Sequence, residues 1–113
     1  ALAARGAGTL TISEQRRLAV ARALALRPKL LLMDEVMAGL NPSEVRDAVD
    51  VVLKIRAMGI ACLIVEHVLE GIMPIADRIV VLDYGRKIAD GTPAEVARDE
   101  KVIAAYLGSP DPV

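Results

Sequence analysis

The chain has 113 residues with 14 basic and 15 acidic side chains, which leave a formal net charge of -1. This balance argues against a nucleic-acid interface, which needs a basic surface. Hydrophobic residues make up 54% of the chain, enough for a packed core, which argues against general disorder. Tyr84 and Tyr106 are the only aromatic residues, so aromatic platforms for nucleobases or cationic ligands have almost no material to be built from.

Apolar runs, cysteine content and the first residues indicate the compartment. The longest apolar runs, such as residues 60–65, are far shorter than the roughly 20 residues of a membrane-spanning helix. Cys62 is the single cysteine, so no disulfide can form within the chain, and no charged and then apolar leader is present. We therefore expect a reducing cytosol. Because the chain begins at Ala1 rather than at a methionine, we expect it to be a fragment of a longer protein.

Helix and strand signals alternate from the start of the chain. Residues 14–26 are almost all good helix formers with apolar positions on every side, which predicts a largely buried helix. Residues 29–35 hold four consecutive apolar residues followed by Asp34 and Glu35. This pattern predicts a buried parallel strand with both acids at its carboxyl end.

A second helix and a second strand follow. Asn41 as a capping residue and Pro42 at the first helical position predict where the helix begins. Its predicted apolar stripe consists of Val45, Ala48, Val49 and Val52. Residues 60–65 predict another buried strand, which ends just before Glu66 and His67.

The remaining chain predicts a hairpin and two short helices. Residues 78–83 are rich in Ile and Val and predict a strand, and residues 87–91 predict the strand that returns after a tight turn. Thr92 begins a capping box that opens the first short helix. The glycine and prolines within residues 108–113 predict a frayed tail.

These elements together predict an α/β domain with a mostly parallel sheet and helices on both faces. Binding sites in such sheets gather at the carboxyl ends of the strands. The pair Asp34-Glu35 and the pair Glu66-His67 both fall at such ends. We therefore expect the acids of one strand and the imidazole of its neighbour to face the same ligand.

The acids and the histidine suggest phosphate chemistry but do not establish it. Because adjacent carboxylates leaving a strand diverge, one of Asp34 and Glu35 could hold Mg²⁺, directly or through water, while the other orients a nucleophilic water. A solvated acidic turn is the plainer interpretation of the same pair. His67 could donate to a phosphate oxygen, although a single histidine is more often a hydrogen-bonded structural residue.

The start of the first helix allows a similar choice. Hydroxyls and unpaired N–H groups at residues 10–15 could form an anion site, but taken alone, helix capping explains these residues better. Arg16 and Arg17 could help to hold an anion, whereas arginines on a helix face are usually solvated or paired with acids.

The order and spacing of four segments are more specific than any of them alone. These segments are residues 10–17, 31–35, 38–42 and 66–67. Together they resemble the second half of an ATP-binding-cassette (ABC) ATPase, in which they would be the signature segment, the Walker B strand with its catalytic glutamate, the D-loop and the switch histidine. The resemblance covers essentially the whole chain. It implies a partial P-loop NTPase fold, with residues 1–113 as the C-terminal part of an ABC ATPase domain.

Three further segments narrow the resemblance. Residues 78–85, 89–96 and 102–108 are similar to the ATPase subunits of branched-chain amino acid importers. This similarity implies a subunit that couples ATP binding and hydrolysis to the uptake of branched-chain amino acids. The solute follows from the similarity alone, because nothing in the chain would touch an amino acid.

The resemblance also implies roles for seven residues. Asp34 would serve Mg²⁺, Glu35 would polarise the attacking water and His67 would contact the γ-phosphate. The implied nucleotide-binding residues are Thr11, Ser13, Gln15 and Asn41. Among them, Thr11 replaces the signature serine of the family and Asn41 would lie at the dimer seam. Thr11 and Ser13 would act on the ATP that a second subunit holds.

The implied cofactors are ATP and Mg²⁺, both bound only in the complete protein. The implied partners are a second ABC ATPase subunit, identical or different, and integral-membrane permease subunits, with no nucleic acid. These partners would place the protein in the cytoplasm, peripheral on the inner face of the plasma membrane.

Three departures from the family pattern matter. The sequence contains no G-x-x-x-x-G-K-[ST] segment, so the P-loop and the strand that feeds it are missing. We therefore expect the chain alone to be inactive as an ATPase and to leave two strand edges unpaired. Ser13 stands where the family has a glycine, which adds a Cβ beside the phosphate, and Val36 stands where the family has a proline.

The departures leave an alternative function open. A truncated or decayed cassette could act as a non-catalytic module that docks on a partner cassette. A cassette ATPase that works on DNA is disfavoured by the near-zero net charge.

Overall fold

The computed structural model describes residues 6–107. These residues form two compact units that divide after Gly71. Each unit combines helices with a two-stranded sheet, so the predicted α/β class is confirmed. None of the helices within residues 6–107 is long and apolar enough to span a membrane.

The first unit alternates helix and strand as the sequence predicts. After a 3₁₀ turn, Ala7–Thr9, its elements are α1 Ile12–Leu24, β1 Leu30–Asp34, α2 Pro42–Ala57 and β2 Ala61–Val65, with α3 Leu69–Ile72 at its end. Reciprocal capping boxes open both long helices, with Thr11 and Glu14 at α1 and with Asn41 and Glu44 at α2. Each box satisfies two amides that a helix start would otherwise leave unpaired.

The two strands of this unit pair in parallel. Leu30 lies opposite Ala61, and Asp34 lies opposite Val65. The predicted parallel pairing is therefore confirmed, and it brings the carboxyl ends of both strands to one edge of the sheet.

The predicted burial of these strands is wrong on one face. Leu31 and Met33 of β1 are buried, but the alternate positions are exposed. No residue of β2 is buried. The exposed apolar face consists of Leu30, Leu32, Leu63 and Val65. A continuous apolar run predicts a strand with two covered faces, whereas the described part of this unit covers only one.

Helix α1 is not the largely buried helix that its composition predicts. It contains no buried residue, and Ile12 and Leu18 are exposed. Its Val20 faces a cleft shared with Val51 of α2. Helix propensity predicts the helix itself, but burial depends on what packs against each side. By contrast, α2 buries the side of the helix on which its periodicity predicts an apolar stripe. The buried residues on this side are Val45, Val52 and Ile55.

The second unit is a hairpin covered by short helices. Its elements are β3 Ile79–Asp83, β4 Arg86–Gly91, α4 Pro93–Ala97 and α5 Glu100–Val102, which continues as a π-helical turn, Ile103–Leu107. The strands pair antiparallel with an irregularity between Val81 and Leu82. Their core consists of Ile79, Val81, Val96 and Val102. The predicted hairpin and the helix start at Thr92 are confirmed.

The expectation of a mostly parallel sheet with helices on both faces needs correction in detail. The described residues form one parallel pair and one antiparallel pair. No strand within residues 6–107 pairs with the outer edge of either one, so each sheet stays two-stranded. The predicted tail at residues 108–113 lies outside the described residues.

Candidate functional site

Glu35 and His67 lie side by side at the carboxyl ends of β1 and β2. The Glu35 N–H donates to the Val65 carbonyl at 2.7 Å, which extends the parallel pairing by one bond. His67 Nδ1 is 3.7 Å from Glu35 Oε1, and the two side chains are 59% and 57% exposed. An exposed pair of this kind stabilises a fold by about 1 kcal/mol at most. The pair therefore contributes little to the stability of the fold.

The backbone of Glu35 is in the left-handed region, with a φ of 52°. This region is costly for a residue with a Cβ, and such residues cluster at functional sites. A proline after Glu35 would restrict that residue to extended conformations. Val36 imposes no such restriction, so the departure from the family pattern at this position permits the observed conformation.

The loop after β1 is held by Glu66. Glu66 Oε1 accepts from the Met37 N–H at 2.7 Å, and its Oε2 accepts from the His67 N–H at 3.1 Å. One carboxylate thus ties the loop that follows Glu35 to the backbone of His67. No local pattern predicts this role for Glu66, because its bond to Met37 joins residues 29 apart.

Arg16 holds the same loop from α1. Its Nη1 donates to the Val36 carbonyl at 3.2 Å and also to the Ala38 carbonyl. Arg16 thus binds two backbone carbonyl oxygens. Among the acids of residues 6–107 it has no partner, so neither a solvated nor an acid-paired arginine describes it. Arg17 does pair with an acid, with its Nη2 3.6 Å from Asp47 Oδ2.

The predicted signature residues gather at the start of α1. Thr11 Oγ1 accepts from the Glu14 N–H at 3.1 Å, and Gln15 Nε2 donates to the Leu10 carbonyl at 3.2 Å. Ser13 lines an apolar cleft together with Met33 of β1. The capping interpretation of Thr11 is confirmed, and the nucleotide-binding roles of Thr11, Ser13 and Gln15 stay predictions.

Asn41 and Asp34 flank the loop that contains Glu35. Asn41 Oδ1 accepts from the Glu44 N–H at 2.8 Å, so its side chain caps α2. Asp34 is exposed at the last position of β1. Within residues 6–107, no three His, Cys, Asp or Glu side chains form a group that could hold a metal ion. An exposed carboxylate such as that of Asp34 can bind Mg²⁺ together with phosphate oxygens and waters, and the role of Asp34 at Mg²⁺ stays a prediction.

Known proteins are similar to this chain in sequence and in fold. Residues 86–112 match the family model of the branched-chain amino acid ATP-binding cassette transporter. Over 105 residues, 92% of this chain, the sequence is 44% identical to the high-affinity branched-chain amino acid transport ATP-binding protein BraF of Pseudomonas aeruginosa. Over most of its length the chain is thus similar in sequence to ATP-binding-cassette (ABC) ATPases.

Solved ATP-binding cassettes are similar to this chain in fold. The ADP conformation of MJ1267, an ATP-binding cassette of an ABC transporter, matches with a TM-score of 0.82 and 35% identity, covering 93% of this chain and 43% of that one. The chain likewise spans 41% of the length of BraF. It is also 38% identical over 100 residues to the lipopolysaccharide export system ATP-binding protein LptB of Escherichia coli, covering 88% of this chain and 42% of LptB. Relatives named for different cargoes thus share this segment.

Proposed function

We propose that this chain supplies the signature segment, the catalytic glutamate and the switch histidine of an ATPase subunit that drives an ABC importer. The observation that carries the proposal is the approach of His67 Nδ1 to Glu35 Oε1 at the carboxyl ends of two parallel strands. A general base and a hydrogen-bond donor to the phosphate must contact the same substrate to act in one step. The spacing of Glu35 and His67 allows both side chains to contact one nucleotide.

The proposed chemistry assigns each side chain an atom to act on. The Glu35 carboxylate polarises the water that attacks the γ-phosphorus, and the His67 imidazole donates to a γ-phosphate oxygen. The start of α1, with Thr11 and Ser13, faces the ATP of a second subunit, where helix N–H groups favour anions. Gln15 and Asn41 complete the nucleotide contacts at the seam between subunits. Mg²⁺, held by Asp34 and the phosphates, would neutralise developing charge on the phosphate oxygens.

The proposed assembly follows from the relatives. BraF is named for branched-chain amino acid transport, and we propose the same solute class here. The chain would work with a second ABC ATPase subunit and with integral-membrane permease subunits, on the cytoplasmic face of the membrane. The chain alone would neither hold ATP tightly nor hydrolyse it, because the sequence has no G-x-x-x-x-G-K-[ST] loop to position the phosphates.

A chimera of BraF tests this function. In this chimera the present chain replaces the 105 aligned residues of BraF. We expect the BraF chimera to hydrolyse ATP, and the Glu35→Gln variant to lose about 100-fold or more in kcat while it still binds ATP. Glu70→Gln, which removes an exposed acid from α3, is the matched control and should keep full activity. A Glu35→Gln variant as active as this control would refute the assignment.

A non-catalytic docking module is the second candidate. One observation favours it, namely Ser13 in place of the family glycine. If the BraF chimera folds and binds ATP but hydrolyses none, whereas Ser13→Gly restores hydrolysis, the signature segment has decayed and the docking function is supported.

A further inference from the structure

The peptide unit that joins Val36 to Met37 is held from both sides by opposite charges. The Arg16 guanidinium donates to the carbonyl oxygen of this unit at 3.2 Å. The Glu66 carboxylate accepts from its N–H at 2.7 Å. Carbonyl and N–H point in opposite directions on a planar trans peptide, so the cation and the anion lie on opposite sides of the loop.

We propose that Arg16 and Glu66 are positioning residues that clamp this peptide unit and so hold Glu35 against His67, a role that rests on the proposed function. Rotation of the unit would break both charge-assisted hydrogen bonds at once. Glu35 adjoins the clamped unit and has a φ of 52°. A conformation of that kind persists only where its surroundings over-determine it.

Packing holds the same unit from a third direction. Met37 is 1% exposed. A Cβ added at Gly71 would come within 2.3 Å of Met37 Sδ, so the absent side chain at position 71 makes room for the methionine. Met37 thus fills the space beside α3 while its N–H is bound by Glu66.

The clamp connects two functional segments. Arg16 lies in α1, the helix that Thr11 opens, and Glu66 directly precedes His67. Through Arg16, a displacement of the signature helix would pull on the loop beside Glu35. Through Glu66, the same loop is tied to the switch histidine. We infer that nucleotide engagement at the start of α1 is transmitted to the water-polarising carboxylate along this route.

Amide hydrogen exchange in the full chain tests the clamp directly. The Met37 amide should exchange at least about tenfold more slowly than the amides of Val36 and Gly39, for which the structure describes no hydrogen bond. Glu66→Ala should remove that protection, and Glu66→Gln, which keeps one acceptor oxygen, should retain part of it. Glu70→Gln is the matched control and should change nothing. An unprotected Met37 amide in the unmodified chain overturns the clamp without any variant.

Kinetics of the BraF chimera separate positioning from mere stability. Arg16→Met and Glu66→Ala should lower kcat about tenfold and leave the KM for ATP unchanged, and Arg16→Lys should recover part of the loss. Arg22→Met, at an exposed position of the same helix, is the control. Unchanged kcat in both clamp variants overturns the proposal. If the chimera itself has no activity, the proposed function fails, and hydrogen exchange alone then decides the clamp.

Discussion

Glu35 occupies a backbone conformation that costs free energy for any residue with a Cβ. Its φ of 52° lies in the left-handed region, which costs a residue with a Cβ about 1–2 kcal/mol of conformational free energy. The side chain that carries the proposed chemistry is therefore held where stability alone would favour glycine. The presence of a carboxylate at this strained position is consistent with the proposed role of Glu35.

This strain predicts an unusual order of stabilities. Glu35→Gly should be more stable than Glu35→Gln by about 0.5 kcal/mol, because relief of the left-handed cost exceeds the greater chain entropy of glycine. At Arg46, an exposed residue within α2, glycine should instead be less stable than glutamine by about 0.5 kcal/mol. Urea unfolding of the four variants measures both differences. The same sign at both positions would contradict the strain.

At the scale of elements, the hairpin of the second unit is fastened by an ion pair at its open end. Arg78 Nε and Nη2 donate to the two carboxylate oxygens of Asp90 at 2.7 and 2.6 Å. Lys87 Nζ lies 3.6 Å from the same carboxylate. The hydrogen bonds from Arg78 are the main cause that lowers the pKa of Asp90 to about 2.

The lowered pKa predicts how the hairpin responds to acid. Because the folded pKa lies below the ordinary value of 3.8, the ionised Asp90 adds stability above about pH 4 that is lost as the pH falls toward 2. Asp90→Asn should therefore melt below the unmodified chain at pH 7, and the gap should close across that window. Asp83→Asn controls for loss of an acid from the same hairpin. A gap that stays constant from pH 5 to pH 2 would rule out the ion pair as its cause.

Local signals predicted the elements well, because their causes lie within a few residues. Asn41 and Thr92 cap helices through glutamates three residues later, and each is followed by a proline. The tight turn after Asp83 uses Tyr84 and Gly85, both with positive φ, as a two-residue hairpin turn requires. The meeting of Glu35 and His67 followed from a general rule, that sites form at the carboxyl ends of parallel strands.

Long-range features could not be predicted in the same way. The bond from Arg16 to Val36 spans 20 residues, and that from Met37 to Glu66 spans 29. Nothing in the spacing of these residues indicates that their atoms meet. Helix α1 and both parallel strands were predicted to be buried, but each has an exposed side. Apolar composition shows that a segment can be buried, but it does not show which other element covers each of its faces.

At the scale of the whole molecule, the chain presents an apolar sheet face to solvent. Leu30 and Leu32 of β1 and Leu63 and Val65 of β2 are exposed on one side of the parallel pair. The outer edges of this pair have no strand partner within residues 6–107. Exposed apolar faces and unpaired edges both favour association.

The chain alone should therefore self-associate through this face. Leu32→Lys should weaken association by about tenfold or more, because burial of a leucine is replaced by burial of a charge. Met58→Lys is the matched control, since Met58 and Leu32 are both 65% exposed but Met58 lies just past the end of α2. Sedimentation velocity over a range of concentrations measures the effect. A monodisperse monomer at all concentrations would contradict the expectation.

We propose that Glu35 and His67 act on one nucleotide, and that most contacts to this nucleotide come from residues outside this chain. A crystal structure of the BraF chimera carrying Glu35→Gln, grown with ATP and Mg²⁺, tests it most directly. We predict His67 within about 3 Å of a γ-phosphate oxygen and the residue 35 side chain beside a water in line with the γ-phosphorus. ATP bound with either side chain turned away from the γ-phosphate would contradict the account.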